Sequence, residues 1–295
     1  MAEIGKVRPM VTEHIVGKPA SKKEASKKTE NLPIGVFDSG VGGLTVLSKI
    51  MRHLPHEDVL YLADNARVPF GGRSEEEIIK INQEILNFFV KRRVKMVIVA
   101  CGTSSSIAYP VLKDKYDFPM VSLIEPGSHA ALAVTENNKI GVFATVGTVK
   151  SGSYKKMLTS IRSKLSVISE ACPLFVPLIE GGFIDAEETE RVAKEYLKPL
   201  VKGGVDTLIL GCTHYPHLLK VLKRLAPDLK FVDPAEEAVV VTKEFFSKNH
   251  ILRDKTKPAH YNYVVTGSVS QFQDLGSRLL GKPLAEVKQV HLGSA

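Results

Sequence analysis

Short apolar runs alternate with amphipathic segments along most of this chain. Each run is brief and continuous, which is typical of a strand buried on both faces of a parallel sheet. The sequence predicts strands at Ile34–Phe37, Val59–Ala63, Lys95–Ala100, Met120–Ile124, Lys139–Ala144, Thr207–Leu210, Lys230–Val232 and Tyr261–Val265.

The segments between these runs have helical periodicity. The clearest begins with a capping box, in which Ser74 is followed three residues later by Glu77, and continues through Ile78, Ile81 and Ile85. Strands that alternate with helices predict parallel sheets covered on both faces. In such sheets ligands gather at the carboxyl ends of the strands, where Asp38, Asp64, Cys101 and Cys212 are expected.

Two features of the pattern occur twice. The tetrapeptide Ile-Gly-Val-Phe is found at Ile34–Phe37 and again at Ile140–Phe143. Cys101 and Cys212, at nearly the same separation, each follow an apolar run. The chain therefore reads as two related halves, each with one thiol at the end of an equivalent strand. Two thiols facing one substrate suit a reaction that removes a proton from one face and returns a proton to the other.

Length and composition limit the class of protein. A chain of 295 residues with 44% hydrophobic residues can bury a full core, and its length favours two domains. It contains no apolar run of membrane-spanning length and no secretory signal pattern. Three widely spaced cysteines do not form a disulfide framework, which fits a reducing cytoplasm. We therefore expect a cytoplasmic protein that does not enter the membrane.

The net charge of +8 raises the question of nucleic-acid binding. Residues 1–31 hold seven Lys/Arg and four Asp/Glu in a polar, low-complexity stretch, which predicts a flexible N-terminal extension rather than a regulatory arm. The densest remaining cluster, Lys91, Arg92, Arg93 and Lys95, is expected to end a helix and face solvent. Because the rest of the charge is scattered, nucleic acid is not expected as a partner.

The first predicted turn is rich in glycine. It reads Asp38-Ser39-Gly40-Val41-Gly42-Gly43 and opens into a helix at Leu44. Glycines allow close approach of a ligand, and helix amides attract anions such as a substrate carboxylate. The turn matches neither the dinucleotide nor the P-loop pattern, so no nucleotide is inferred. Asp38 is a candidate base, with a helix cap as the alternative.

A second cluster, Cys212-Thr213-His214-Tyr215-Pro216-His217, places an imidazole beside a thiol. Such an imidazole can lower the thiol pKa or carry its proton. Three alternatives stay open: a zinc site formed by Cys212, His214, His217 and Cys101, a Cys–His hydrolase, and two purely structural cysteines. Cys172, which precedes Pro173 and lies outside both strand-end patterns, is expected to be structural.

Taken together, these motifs resemble the cofactor-independent Asp/Glu racemases, and glutamate racemases in particular. The resemblance covers Leu32 to Leu292 and rests on the following segments: Gly35–Leu44, Ala66–Gly71, the Cys101 strand, Val176–Glu180, Gly211–Pro216 and Val265–Gly267. It implies two flavodoxin-like α/β domains with parallel sheets, related by a pseudo-two-fold axis, with the active site between them.

The resemblance also implies domain limits and site roles. The domains would be residues 32–126 plus 236–295 and residues 127–235. Cys101 and Cys212 would be the acid/base thiols, with Asp38 assisting the first and His214, with Glu180, assisting the second. The residues matching substrate-contacting positions are Asp38, Ser39, Phe70, Gly71, Gly102, Thr103, Thr213 and His214.

The implied function is racemisation of glutamate without pyridoxal phosphate or any other cofactor or metal, supplying D-glutamate for peptidoglycan. The implied partners are glutamate itself, a second copy of the chain in a homodimer, and a cell-wall precursor as effector. The sequence departs from the family at Gly102, where Asn is usual, at Ala63, where Gly is usual, and at Phe70, where Tyr is usual. These departures leave two alternatives open: a racemase or epimerase of aspartate or diaminopimelate, and a weakly active regulator that binds gyrase.

Overall fold

The computed structural model describes residues 29–256 and 258–293. The first 28 residues of the expected N-terminal extension lie outside the described residues. Among the described residues, no helix is both long enough and apolar enough to cross a bilayer.

The fold consists of parallel strands connected by helices. The strands are β1 Ile34–Asp38, β2 Val59–Ala63, β3 Met96–Val99, β4 Met120–Val121, β5 Lys139–Ala144, β6 Ser166–Ala171, β7 Thr207–Leu210, β8 Lys230–Val232, β9 Tyr261–Val265 and β10 Val287–Gln289. The helices are α1 Leu44–His53, α2 Glu75–Arg92, α3 Gly102–Ile107, α4 Tyr109–Leu112, α5 Ile124–Val134, α6 Val146–Ser151, α7 Ser153–Ile161, α8 Phe175–Glu180, α9 Glu187–Lys202, α10 Leu219–Leu225, α11 Pro234–Lys248 and α12 Val269–Leu280, and a 3-10 turn spans Tyr215–Leu218.

The strands form two parallel sheets whose orders match. The first sheet runs β10-β9-β2-β1-β3-β4 and the second runs β6-β5-β7-β8. The two copies of Ile-Gly-Val-Phe lie in β1 and β5, which occupy equivalent central places in their sheets. Each cysteine follows the neighbouring strand, β3 or β7. The α/β fold with two related halves is confirmed, and β9 and β10 return the end of the chain to the first sheet.

Helices cover both faces of each sheet. On the first sheet, α1, α11 and α12 pack against one face and α2 packs against the other, each through apolar side chains that alternate with solvent-facing ones. The capping box of α2 is confirmed, since the Ser74 side chain accepts from the Glu77 amide and the Glu77 carboxylate accepts from the Ser74 amide. The expected domain limits at 126/127 and 235/236 fall inside α5 and α11, which pack against each other.

The predicted strands are present, although β3 and β4 are shorter than expected. Strands β6 and β10 were not predicted from the sequence. Both lie at sheet edges, where side chains face solvent on at least one side, so their apolar signal is weak.

The expectation that the whole basic cluster faces solvent is wrong for Lys95. Lys91, Arg92 and Arg93 are exposed, but Lys95 is buried where β3 begins. Its ammonium pairs with buried Glu57 and donates to the carbonyl oxygens of Glu30 and Ile251, both at 3.0 Å. Because a buried charge needs such partners, this lysine holds three separate segments together at the base of the first sheet.

Candidate active site

A cavity of about 530 Å³ lies between the two halves at the carboxyl ends of their central strands. Its volume is within the range of small-molecule sites. Every residue to which the family resemblance assigns a site role lines it, and the set is Asp38, Ser39, Phe70, Gly71, Cys101, Gly102, Thr103, Glu180, Cys212, Thr213 and His214. The structure therefore brings residues from both halves of the chain together at one cleft.

Asp38 ends β1 at the floor of this cleft and is almost completely buried. Its Oδ2 accepts from the Gly40 amide at 3.0 Å, while Oδ1 has no hydrogen-bond partner among the described residues. Burial raises the pKa of the Asp38 carboxyl above its ordinary value, although the nearby His214 charge and the loop amides oppose this effect. The alternative role of Asp38 as a cap of α1 is not observed, since Gly43 occupies the cap position.

Cys101 follows β3 and caps the start of α3. It is buried except where it faces the cavity. Burial raises the pKa of the Cys101 thiol to about 12, and the neighbouring Asp38 carboxylate adds to this increase. In this environment Cys101 is therefore a neutral thiol that can donate a proton.

Cys212 has a different environment. Its Sγ lies 3.9 Å from Nδ1 of His214, and Nε2 of the same ring lies 2.8 Å from Oε1 of Glu180. Burial lowers the pKa of His214, but the hydrogen bonds with Cys212 and Glu180 outweigh burial and raise the pKa to about 10. The imidazole thus stays protonated at neutral pH and can exchange a proton with the sulfur.

The two halves approach closely through glycines. A Cβ at Gly42 would lie 2.4 Å from Nδ1 of His214, so the first-half turn packs directly on the second-half imidazole. A Cβ at Gly102 would lie 2.4 Å from the carbonyl oxygen of Gly211. Contacts this short with backbone or a ring require glycine, and both glycines therefore permit the present spacing of the cleft.

Threonine hydroxyls also link the two halves at or beside the cleft. Oγ1 of Thr103 lies 3.0 Å from Oγ1 of Thr145, and Oγ1 of Thr45 lies 3.0 Å from the carbonyl oxygen of Thr213. Thr145 was not predicted as a site residue. The repeat could have found it, because Thr145 follows the second Ile-Gly-Val-Phe at the position that Ser39 has after the first.

The prediction that Cys172 lies outside the strand-end pattern is wrong. Cys172 directly follows β6, is fully buried and lines the same cavity as the other two thiols. Burial raises its pKa well above the ordinary value, and its Sγ donates to the carbonyl oxygen of Glu170 at 3.5 Å. The error arose because β6, the strand that carries Cys172, was not predicted.

The structure does not place the two remaining candidates, a zinc site and Asp64, in the cleft. Across the described ranges, no three His, Cys, Asp or Glu side chains are grouped so that they could hold a metal ion, which leaves the zinc alternative without support. Asp64 directly follows β2, but it is buried away from the cavity, where it accepts from Arg67 at 2.7 Å and from Thr266 at 2.7 Å. Asp64 therefore organises the loop after β2.

Comparison with known proteins agrees with this architecture. The family model of the Asp/Glu/Hydantoin racemases matches residues 34–242. A glutamate racemase of Geobacter metallireducens is 43% identical over 260 residues, which are 88% of this chain and 96% of the relative.

Solved structures give the same result. A glutamate racemase isoform from Bacillus anthracis superposes with a TM-score of 0.86 at 39% identity, covering 89% of this chain and 98% of that chain. Glutamate racemase from Francisella tularensis in complex with D-glutamate superposes with a TM-score of 0.85 at 34% identity, covering 90% and 100%. The chain thus belongs to the Asp/Glu/Hydantoin racemase family.

Proposed function

We propose that this protein interconverts L- and D-glutamate by moving protons between the substrate α-carbon and two thiols, Cys101 and Cys212. One observation carries the proposal: the two thiols end equivalent strands of two related sheets and line a single cleft. The relatives described above are named glutamate racemases, and one of them was solved with D-glutamate. These names support glutamate as the substrate.

The proposed reaction needs a base on one face of the α-carbon and an acid on the other. An α-proton of an amino acid is far less acidic than a thiol, so its removal requires stabilisation of the negative charge that develops next to the carboxylate. The hydroxyls of Ser39, Thr103, Thr145 and Thr213 and the backbone amides of the glycine turn could supply it. Because the products are mirror images, each thiol must act as base in one direction and as acid in the other.

The assisting groups differ between the two thiols in this proposal. Asp38, whose Oδ1 has no partner among the described residues, would assist Cys101. His214 would carry a proton to and from Cys212, and its hydrogen bond to Glu180 would keep the imidazole oriented and charged. Neither pair requires pyridoxal phosphate in this scheme.

Gly102 and Phe70 bear on substrate choice. Phe70 is buried against the cavity and offers no hydroxyl to a substrate. Gly102 offers no amide side chain, and its Cα lies where the two halves abut. Aspartate and diaminopimelate are therefore alternative substrates, and binding to gyrase without catalysis is the alternative function.

Circular dichroism of pure L- and D-glutamate, incubated with the full chain and no added cofactor, tests the proposal. We expect both enantiomers to lose their circular-dichroism signal and to reach the same racemic end point. If only aspartate or diaminopimelate loses its signal, the substrate assignment is wrong. If every amino acid keeps its signal, the chain is not a racemase, and a gyrase supercoiling assay becomes the next measurement.

The proposed role is that of a cytoplasmic enzyme that supplies D-glutamate for peptidoglycan synthesis. A homodimer and a cell-wall precursor effector are further parts of the proposal. Sedimentation velocity of the full chain tests the dimer. UDP-MurNAc-ala, the activator bound in a structure of Escherichia coli glutamate racemase, is the probe for the effector. It is titrated into the racemisation assay with the full chain and with residues 1–31 deleted.

A further inference from the structure

The turn that follows β7 contains a carbonyl oxygen that the backbone of the turn cannot satisfy. The Cys212 carbonyl oxygen accepts from the amide three residues later at 3.0 Å, and the His214 carbonyl oxygen accepts from the amide three residues later at 3.1 Å. The residue between them, Thr213, would need the amide of position 216, which is Pro216 and has no N–H. Because Thr213 is buried, its carbonyl oxygen requires a donor from outside the turn.

The donor comes from the opposite half of the molecule. Thr45, the second residue of α1, is buried, and its Oγ1 lies 3.0 Å from the carbonyl oxygen of Thr213. The same hydroxyl lies 2.8 Å from the Gly42 carbonyl oxygen, which already accepts from the Thr45 amide at 3.1 Å. A hydroxyl has a single proton to donate, and the Thr213 oxygen is the acceptor that lacks its turn amide. This contact therefore joins α1 to the turn after β7.

The contact lies at the centre of the second-half catalytic groups. The Thr213 residue separates Cys212 from His214, so the orientation of its peptide affects both the sulfur and the imidazole, which are 3.9 Å apart. Thr45 itself is absent from the cavity wall. Its hydroxyl therefore acts on the reacting groups through the backbone of the turn, without touching a substrate.

We propose that Thr45 is a positioning residue that holds Cys212 and His214 in their catalytic orientation by donating its hydroxyl to the Thr213 carbonyl oxygen. The inference rests on the proposed function, which it deepens. Without the hydroxyl, the buried oxygen has no donor from its own turn, and the turn is expected to rotate in search of one. A misplacement of about 1 Å at reacting groups lowers a rate by about 10²-fold. The geometry of the second thiol thus depends on a helix of the first half.

Thr45→Val removes the hydroxyl and keeps the shape of the side chain, whereas Thr45→Ser keeps the hydroxyl. In Thr45→Val we expect kcat for racemisation to fall by about tenfold and KM to change by less than about twofold, since the residue does not contact substrate. The melting temperature should fall by about 3–6 °C, as an unsatisfied buried carbonyl implies. Thr45→Ser should restore most of both. The matched control is Thr242→Val, which removes an equally buried hydroxyl that donates within α11 to the Ala238 carbonyl oxygen at 2.8 Å.

Kinetic isotope effects provide a readout that a merely structural role would not move. With α-deuterated L- and D-glutamate, Thr45→Val should increase the primary isotope effect on kcat/KM for one enantiomer, the one from which Cys212 removes the hydrogen. Glu180→Gln should increase it for the same enantiomer and Asp38→Asn for the other, while Thr242→Val should change neither. A loss of activity in Thr45→Val that leaves both isotope effects unchanged, or raises them equally, would contradict the assignment.

A double variant tests the contact itself, because Pro216→Ala supplies the amide that the turn lacks. In the Pro216→Ala background, Thr45→Val should cost about half as much or less, both in melting temperature and in kcat, since the new amide can donate to the Thr213 oxygen. Losses that simply add would overturn the proposal. Melting temperatures do not depend on turnover. A reduced cost in melting temperature, in chains that racemise no amino acid, would therefore refute only the proposed function.

Discussion

The two sides of the cleft hold chemically similar sulfurs in very different surroundings. Cys101 is flanked by a buried carboxylate, Asp38, and its pKa is raised to about 12. Cys212 lies beside an imidazole whose pKa is raised to about 10 and whose other nitrogen is held by Glu180. The backbone is repeated between the halves, but the proton-handling groups are not. The repeated fold sets the positions of the sulfurs, and the neighbouring side chains set how each one exchanges a proton.

The largest expected effect comes from removing either sulfur. Cys101→Ala and Cys212→Ala should each lower kcat/KM for racemisation by about 10²–10⁴-fold, which is the usual contribution of a positioned acid or base. The losses must be equal in the two directions, since the equilibrium constant is one. Steady-state circular dichroism with each enantiomer measures them.

Cys172→Ala is the control for both variants, because Cys172 lines the same cavity and is buried like the other two. It should retain most of the activity. An equal loss in this variant would contradict the assignment of proton transfer to two thiols, because all three thiols of the cleft would then contribute.

Asp38→Asn should separate the contribution of the first half to catalysis from its contribution to stability. We expect activity to fall by about 10²-fold. The melting temperature at pH 7 should rise, because a raised pKa means that the ionised carboxylate opposes folding. That opposition appears as the pH rises through the pKa of the folded state, so the gain should vanish below the ordinary value of 3.8. Calorimetry across pH 3–8 measures it, and a lower melting temperature at pH 7 would contradict the proposed cost of burying this carboxylate.

Glu180→Gln should change the second half in a different way, because Glu180 acts through His214. Replacing the carboxylate by a neutral amide should weaken this charge-assisted hydrogen bond and lower the pKa of His214 from about 10, and kcat should fall by roughly tenfold. The alkaline limb of the pH profile of kcat/KM should then move to lower pH. Glu187→Gln, which removes the same charge from an exposed position in the next helix, should leave the profile unchanged. A shift in both variants would indicate an effect of overall charge rather than of the contact between Glu180 and His214.

The smallest effect is expected at the contact between the halves. Gly102→Asn restores the residue usual in the family, yet its Cβ would meet the Gly211 carbonyl oxygen at 2.4 Å. We expect a loss of about 1–3 kcal/mol in unfolding free energy and a few-fold lower kcat/KM. Gly72→Ala, with open space around its Cβ, is the control for stability. Higher activity in Gly102→Asn would contradict this expectation and would indicate that a side chain at position 102 can bind the substrate.

The sequence was most informative where local pattern and environment coincide. Central strands such as β1 and β5 are buried on both faces, so their apolar runs and the repeated tetrapeptide could be recognised in the sequence. Edge strand β6 is half-exposed, and missing it concealed the position of Cys172. The burial of Lys95 and the contact between Gly102 and Gly211 depend on segments far apart in the chain. No local pattern encodes such contacts.

The most direct test of the two-sided cleft follows the origin of the α-hydrogen. Fully protiated L-glutamate, and separately D-glutamate, is converted in deuterated water to low extent, and both enantiomers are analysed by mass spectrometry. Two separate bases predict that nearly every product molecule carries deuterium at the α-carbon while the remaining substrate stays protiated. Product that retains the hydrogen of the substrate, or deuterium spread equally over both enantiomers, would contradict the account.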